Sequence, residues 1–121
     1  MGADLAKQNL IVDKSFGYAL SIIELNQFLV NEKKEYVLSK QVLRSGTSVG
    51  ANVCEASVSQ SKREFIAKMN ISLEEIHETE YWLQLLLKSN YINEAQALLK
   101  ETDELIRILT SIIKTSNQNS R

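Results

Sequence analysis

The stretch LRSGTSVGANVCEASVSQSKREFIAKMNISLEEIHETEYWLQLLL, Leu43 to Leu87, decides the fold. In its first half, with the residue before it, Val42, Gly46, Val49, Val53 and Ala56 recur at steps of 4, 3, 4 and 3. That spacing places them on one face of a helix. Ser61-Lys62-Arg63-Glu64 then reads as a capping box: the Ser61 hydroxyl accepts the Glu64 amide and the Glu64 carboxylate returns to the Ser61 amide. Behind it Phe65, Met69, Ser72, Ile76, Leu83 and Leu86 continue at helical spacing, with Ile66, Leu73 and Leu87 beside them. The stretch is two long helices joined by a tight turn.

The first of these helices carries two further stripes. Gly46, Gly50 and Cys54 are each four apart. Each interior glycine costs about 1 kcal/mol in helix propensity, so the stripe marks either close approach of a neighbouring helix or a local kink. Arg44, Ser48, Asn52 and Glu55 form a polar stripe. It is either a solvated face or a network in which Ser48 and Asn52 bridge Arg44 to Glu55. In the second helix only Gln84 is polar between Tyr81 and Leu87. An end that is apolar nearly all round is covered on more than one side, and Tyr81, Trp82 and Leu85 are the candidate subunit contact.

Upstream, residues 1–8 read as a frayed lead into a helix over about 9–30. Two apolar rows run along it: Val12, Phe16, Ala19, Ile23 and Val30, and Ile11, Tyr18, Ile22, Leu25 and Leu29. Together they are wider than one bundle core requires. The helix is either deeply buried or faces a core on one side and a second subunit on the other. Asn31-Glu32-Lys33-Lys34-Glu35 is a polar break before the second helix, about 36–59. The third runs over about 62–89. Asn90-Tyr91-Ile92-Asn93 is the next connection, and Asn93 with Gln96 gives another capping signal before a last helix over about 94–115. Ala97, Leu98, Leu105, Ile108, Leu109, Ile112 and Ile113 form its apolar side, and 116–121 are a polar tail. Four helices with short loops predict an all-α, up-down-up-down antiparallel bundle in one domain spanning 1–121.

The bulk properties agree. The 121 residues contain no proline, four glycines, and 44% hydrophobic and 24% charged residues, a helix-favouring composition. Net charge is −1, with no basic arm or acidic tail. The first ten residues, MGADLAKQNL, lack a signal peptide's apolar run. No run approaches the roughly 20 apolar residues that span a bilayer, and the one cysteine cannot form an intrachain disulfide. These features predict a cytoplasmic protein without membrane contact.

Candidate chemistry is sparse. Glu74 and His77 have the Glu-x-x-His spacing of di-iron bundles, but such sites need that motif twice and the chain has one histidine. Cys54 has only His77 as an imidazole partner and reads as a small buried residue rather than a nucleophile. No metal, no cofactor and no catalytic residue is expected. For RNA the candidates are Lys33, Lys34 and Lys40, with Lys88, at one end of the bundle, and Lys62 and Arg63, with Lys7, Lys14 and Lys114, at the other. No aromatic interleaves with them for base stacking.

The residues Arg44-Ser45-Gly46-Thr47-Ser48-Val49-Gly50-Ala51-Asn52, with Glu55-Ala56, Lys62-Arg63-Glu64-Phe65 and Glu78-Thr79-Glu80-Tyr81-Trp82-Leu83, carry a resemblance. Over about 9–115 the chain resembles the bacterial four-helix-bundle proteins named after intervening sequences in large-subunit ribosomal RNA genes. Another branch of that family has proline where this chain has Gly50 and glycine where it has Ala56. The resemblance implies a left-handed bundle, a ring-like homo-oligomer, most readily a pentamer, and a connection to RNA. It implies no established activity. A similar bundle is the basic accessory protein of diversity-generating retroelements, which works with a reverse transcriptase and its RNA; this chain is slightly acidic instead. The expectation is a non-enzymatic scaffold or adaptor for a protein or ribonucleoprotein partner. The alternative is an RNA-binding accessory protein of a reverse transcriptase or ribosomal-RNA system.

Overall fold

The computed structural model describes residues 2–118. It contains four helices: α1 (Gly2–Asn31), α2 (Leu38–Ser57), α3 (Lys62–Lys88) and α4 (Gln96–Gln118). Each packs on its two neighbours round a square, α1 on α2, α2 on α3, α3 on α4 and α4 on α1, and among the described residues the backbones of the diagonal pairs stay apart. Neighbours run antiparallel. Along α2, Ser45 meets Thr79, Val49 meets Ser72 and Glu55 meets Lys68, so one partner's number falls as the other's rises.

Helix α1 begins at Gly2, seven residues before the expected start. Ala3, Leu5, Ala6, Lys7 and Gln8 are good helix formers, and the Lys7 ammonium donates to the Ser111 hydroxyl on α4 at 2.7 Å. Helix α2 starts two residues later than expected because Glu35 caps it. The Glu35 carboxylate accepts the amides of Val37 (3.2 Å), Leu38 (3.0 Å) and Ser39 (2.7 Å), three donors that a helix start otherwise leaves unpaired. The Ser39 hydroxyl returns a bond to the Glu35 carbonyl at 2.7 Å.

Ser61 caps α3 as its sequence predicts, accepting the Glu64 amide at 3.1 Å. The return bond differs by one residue: Glu64 accepts the amide of Gln60, not of Ser61. Asn90 ends α3 in the left-handed region at φ 65°, which asparagine tolerates. The Tyr91 amide then reaches back to the Leu86 carbonyl at 3.0 Å. Helix α4 starts at Gln96, two residues past the predicted start, and continues to Gln118, into the expected tail.

Of the two apolar rows on α1, the second faces the core. Ile11, Tyr18, Ile22 and Leu29 are fully buried against Val42, Val49 and Val53 of α2, Met69, Ile76, Leu83 and Leu86 of α3, and Leu105 and Leu109 of α4. Hydroxyls lie in the same interior. The Tyr18 phenol and the Thr102 hydroxyl are 2.7 Å apart. Ser45 and Thr79 are 2.9 Å apart, and Ser72 donates to the Val49 carbonyl at 2.8 Å. Among the described residues no buried side-chain polar atom lacks a partner, as an interior of low dielectric requires.

Candidate functional site

The first apolar row of α1 is not consumed by the core. Val12 packs against the core, but Phe16 keeps 65% of its surface exposed and Ile23 is exposed too, as is Leu20 outside the row. Beside them α1 and α2 approach closely because α2 carries glycine. A Cβ built at Gly46 would lie 2.7 Å from Ile22 Cγ1, and one at Gly50 would lie 3.2 Å from the Ser15 carbonyl oxygen. Both glycines therefore sit at a helix–helix contact. Cys54 does not; its thiol is exposed. The reason is geometric: each step of four residues advances about 40° round a helix, so by the third member the stripe has turned off the contact. The result is a groove of about 540 Å³ between α1 and α2. Val12, Phe16 and Ala19 line one side, and Gly50, Ala51 and Cys54 the other. Asp13 is the one charged residue in its lining. The groove was visible in sequence only as the surplus width of α1's apolar face.

On the neighbouring side, the polar stripe of α2 faces α3. Arg44 donates to Glu75 at 3.2 Å and pairs with Glu78. Glu55 pairs instead with Lys68 at 2.8 Å. The bridge from Arg44 to Glu55 through Ser48 and Asn52 is not formed. Asn52 donates to the Ser48 carbonyl and the Ser48 hydroxyl to the Arg44 carbonyl, both within α2. Eleven residues separate Arg44 from Glu55, about 16 Å of helix, and each finds an opposite charge on α3 at its own level. The Trp82 indole donates to Glu78 at 3.0 Å. That bond, with the Arg44 guanidinium, holds the Glu78 carboxyl below the usual carboxylate range against the opposing effect of burial. Trp82 and Leu85 are half-buried. Tyr81 stays 58% exposed and meets the Trp82 ring edge-on, centroids 5.1 Å apart. Seven residues from Glu78, on the same face, Ile71 is exposed.

The candidate RNA contacts divide between the two ends and are all exposed: Lys33, Lys34 and Lys40 beside the α1–α2 connection, Lys62 and Arg63 at the start of α3. The Lys33 ammonium lies 5.7 Å from the centre of the Phe28 ring, a cation–π distance. Lys34 occupies the left-handed region at φ 54°. Near Lys62 a cleft of about 430 Å³ opens between Lys7, Ser59, Phe65 and Ile112. The structure does not join the two basic groups into one surface.

Among the described residues no three His, Cys, Asp or Glu side chains are grouped as metal ligands, and none of their helices is long and apolar enough to cross a membrane.

Comparison with curated proteins gives no match. Among solved structures, the chain is similar to a protein of unknown function from the S23 ribosomal protein family of Bacteroides thetaiotaomicron. The two are 51% identical and superpose with a TM-score of 0.87, over 89% of this chain and 98% of that one. Residues 7–111 match the family of 23S rRNA-intervening sequence proteins. That match takes in α2 and α3 whole and most of α1 and α4, and the chain belongs to the 23S rRNA-intervening sequence protein family.

Proposed function

We propose that this protein is a non-enzymatic, self-associating scaffold, a ring-like homopentamer that serves as an adaptor for a protein or ribonucleoprotein partner. The observation that carries the reading is apolar surface left over after the core is complete: Phe16, Leu20 and Ile23 on α1 and Tyr81 on α3 are all exposed. Exposed aromatic and aliphatic side chains arranged along a helix mark an interaction face. Native mass spectrometry on protein drawn gently from its own cells, without nuclease, tests it. A mass near five chains is expected, and Trp82→Ala or Leu85→Asp should lower the subunit number before the helices unfold. A lone chain of 13.7 kDa would sink the proposal.

A second reading, an RNA-binding accessory protein, has the family's description and the exposed Lys33, Lys34 and Lys40 in its favour. Extra mass on the ring that ribonuclease removes, with retention of RNA that weakens as salt rises, would select it over the first.

A further inference from the structure

We infer that the groove between α1 and α4 is the docking site of a short basic amphipathic segment of a partner protein, its apolar side chains on Leu25, Phe28 and Leu98 and its arginines or lysines on Glu24, Glu94 and Glu101. This rests on the adaptor reading above and adds where the partner sits and what chemistry it carries. The groove has a volume of about 550 Å³. Leu25 and Phe28 of α1 and Leu98 of α4 line it, and no lysine or arginine does. Glu24 stands on the α1 side; Glu94, just before α4, and Glu101, within it, stand on the other. Along α1 the groove runs from Ser21 to Phe28, about 10 Å of helix. Two turns of a partner helix cover that length, with apolar anchors on the floor and charges at both edges.

The charge of the occupant follows from how the chain's own carboxylates are paired. Glu55 meets Lys68, Glu75 and Glu78 meet Arg44, and Glu104 meets Lys14. Among the described residues Glu24, Glu94 and Glu101 form no ion pair. Glu101 is half-buried. Burial and the nearby Glu104 raise its carboxyl above the ordinary value, and Lys14 offsets this only in part. A guanidinium or ammonium from outside supplies the missing counter-charge. The Lys33 ammonium already lies over the Phe28 ring, so that ring accepts a cation. The carboxylates are too dispersed for a metal, since among the described residues no three such groups are placed to hold one. A polyamine has no apolar side chains for Leu25, Phe28 and Leu98, and the acidic edges repel a phosphate backbone. Leu5, Leu10, Tyr36, Val37, Val58, Ile71 and Tyr81 are exposed as well, but none of them lines this groove, where apolar surface and unpaired charge coincide. Phe28 is twelve residues from Phe16, about 120° round α1, so the site lies on a different flank from the Phe16 row.

The test is fluorescence anisotropy of the full chain with a labelled helical peptide that carries leucines at i, i+3 and i+4 and arginines on both flanks. Wild type should bind it, more weakly as salt rises. Glu24→Gln with Glu94→Gln, both at exposed positions, should weaken binding about fivefold, as the loss of two exposed charge pairs implies. Phe28→Gln should weaken it by about as much. Glu74→Gln with Asp103→Asn removes the same charge at exposed positions outside the groove and should change affinity less than about twofold. Native mass spectrometry on the same samples keeps the two readings apart. Failure to bind the peptide, or equal weakening in the control, overturns the groove, while an intact assembly leaves the scaffold standing. Groove variants that lose subunits show a second copy in the groove and overturn the inference. A monomeric wild type that binds the peptide through Glu24, Glu94 and Phe28 overturns the ring and upholds the groove.

Discussion

Gly46 of α2 sits directly against Ile22 of α1: an added Cβ would meet Ile22 Cγ1 at 2.7 Å and Cγ2 at 2.9 Å. Ile22 is fully buried and β-branched, so its χ1 cannot swing away at little cost. Gly46→Ala should destabilise by about 1–3 kcal/mol in chemical denaturation, although alanine is the better helix former. Gly17, with nothing within 4 Å of its Cβ position, should respond in the opposite direction. Gly17→Ala should stabilise by about 0.5–1 kcal/mol. Placed in an Ile22→Ala background, Gly46→Ala should lose its penalty; an unchanged penalty would mean the clash is not with Ile22.

Glu35 links the first loop to α2 and makes the fold's stability depend on pH. Burial opposes its charge, yet the amides of Leu38, Ser39 and Val37 hold its carboxyl below the ordinary value. A group whose pKa is lower in the folded state contributes its stability above the unfolded pKa. That contribution disappears as pH falls through the folded value. Glu35→Gln should therefore cost about 1–2 kcal/mol at pH 7, the usual value of a helix cap. The gap in melting temperature between wild type and variant should close below about pH 4.

The Tyr18–Thr102 contact should respond unequally to removal of its two sides. The Thr102 hydroxyl donates to the Leu98 carbonyl at 2.8 Å, so the proton between the two residues comes from Tyr18. Tyr18→Phe leaves Thr102 bonded and should cost about 0.5–1.5 kcal/mol. Thr102→Val leaves a buried phenol with no acceptor and should cost about 1–3 kcal/mol. Burial already raises the Tyr18 pKa, so the phenol will not escape the penalty by ionising. Equal costs would show that water reaches the vacated site.

Arg44 and Glu55 should act independently. Their partners lie at different levels of α3, and both pairs are substantially exposed. Alanine at either should cost about 0–1 kcal/mol, and the double variant should equal the two singles within about 0.5 kcal/mol. Asn52→Leu should leave melting nearly unchanged, because Asn52 bonds only the Ser48 carbonyl of its own helix. A coupling above 1 kcal/mol in the Arg44–Glu55 cycle would restore the network.

The amino-acid sequence by itself determined four helices, their order, and most of the buried side. Helical spacing is a local property, and Val42, Gly46, Val49, Val53 and Ala56 state it in the chain. The Ser61 cap is equally local. Only the tertiary structure decided between the two apolar rows of α1, because a row reads the same whether it meets a core or water. Packing buried Ile11, Tyr18, Ile22 and Leu29 and left Phe16 outside. It also drew Gly46 and Gly50 into the α1 contact while helical drift turned Cys54 out of it. Arg44 and Glu55 took separate partners for the same reason: electrostatic pairing follows distance in space, and opposite charges on α3 lie nearer than any charge further along α2.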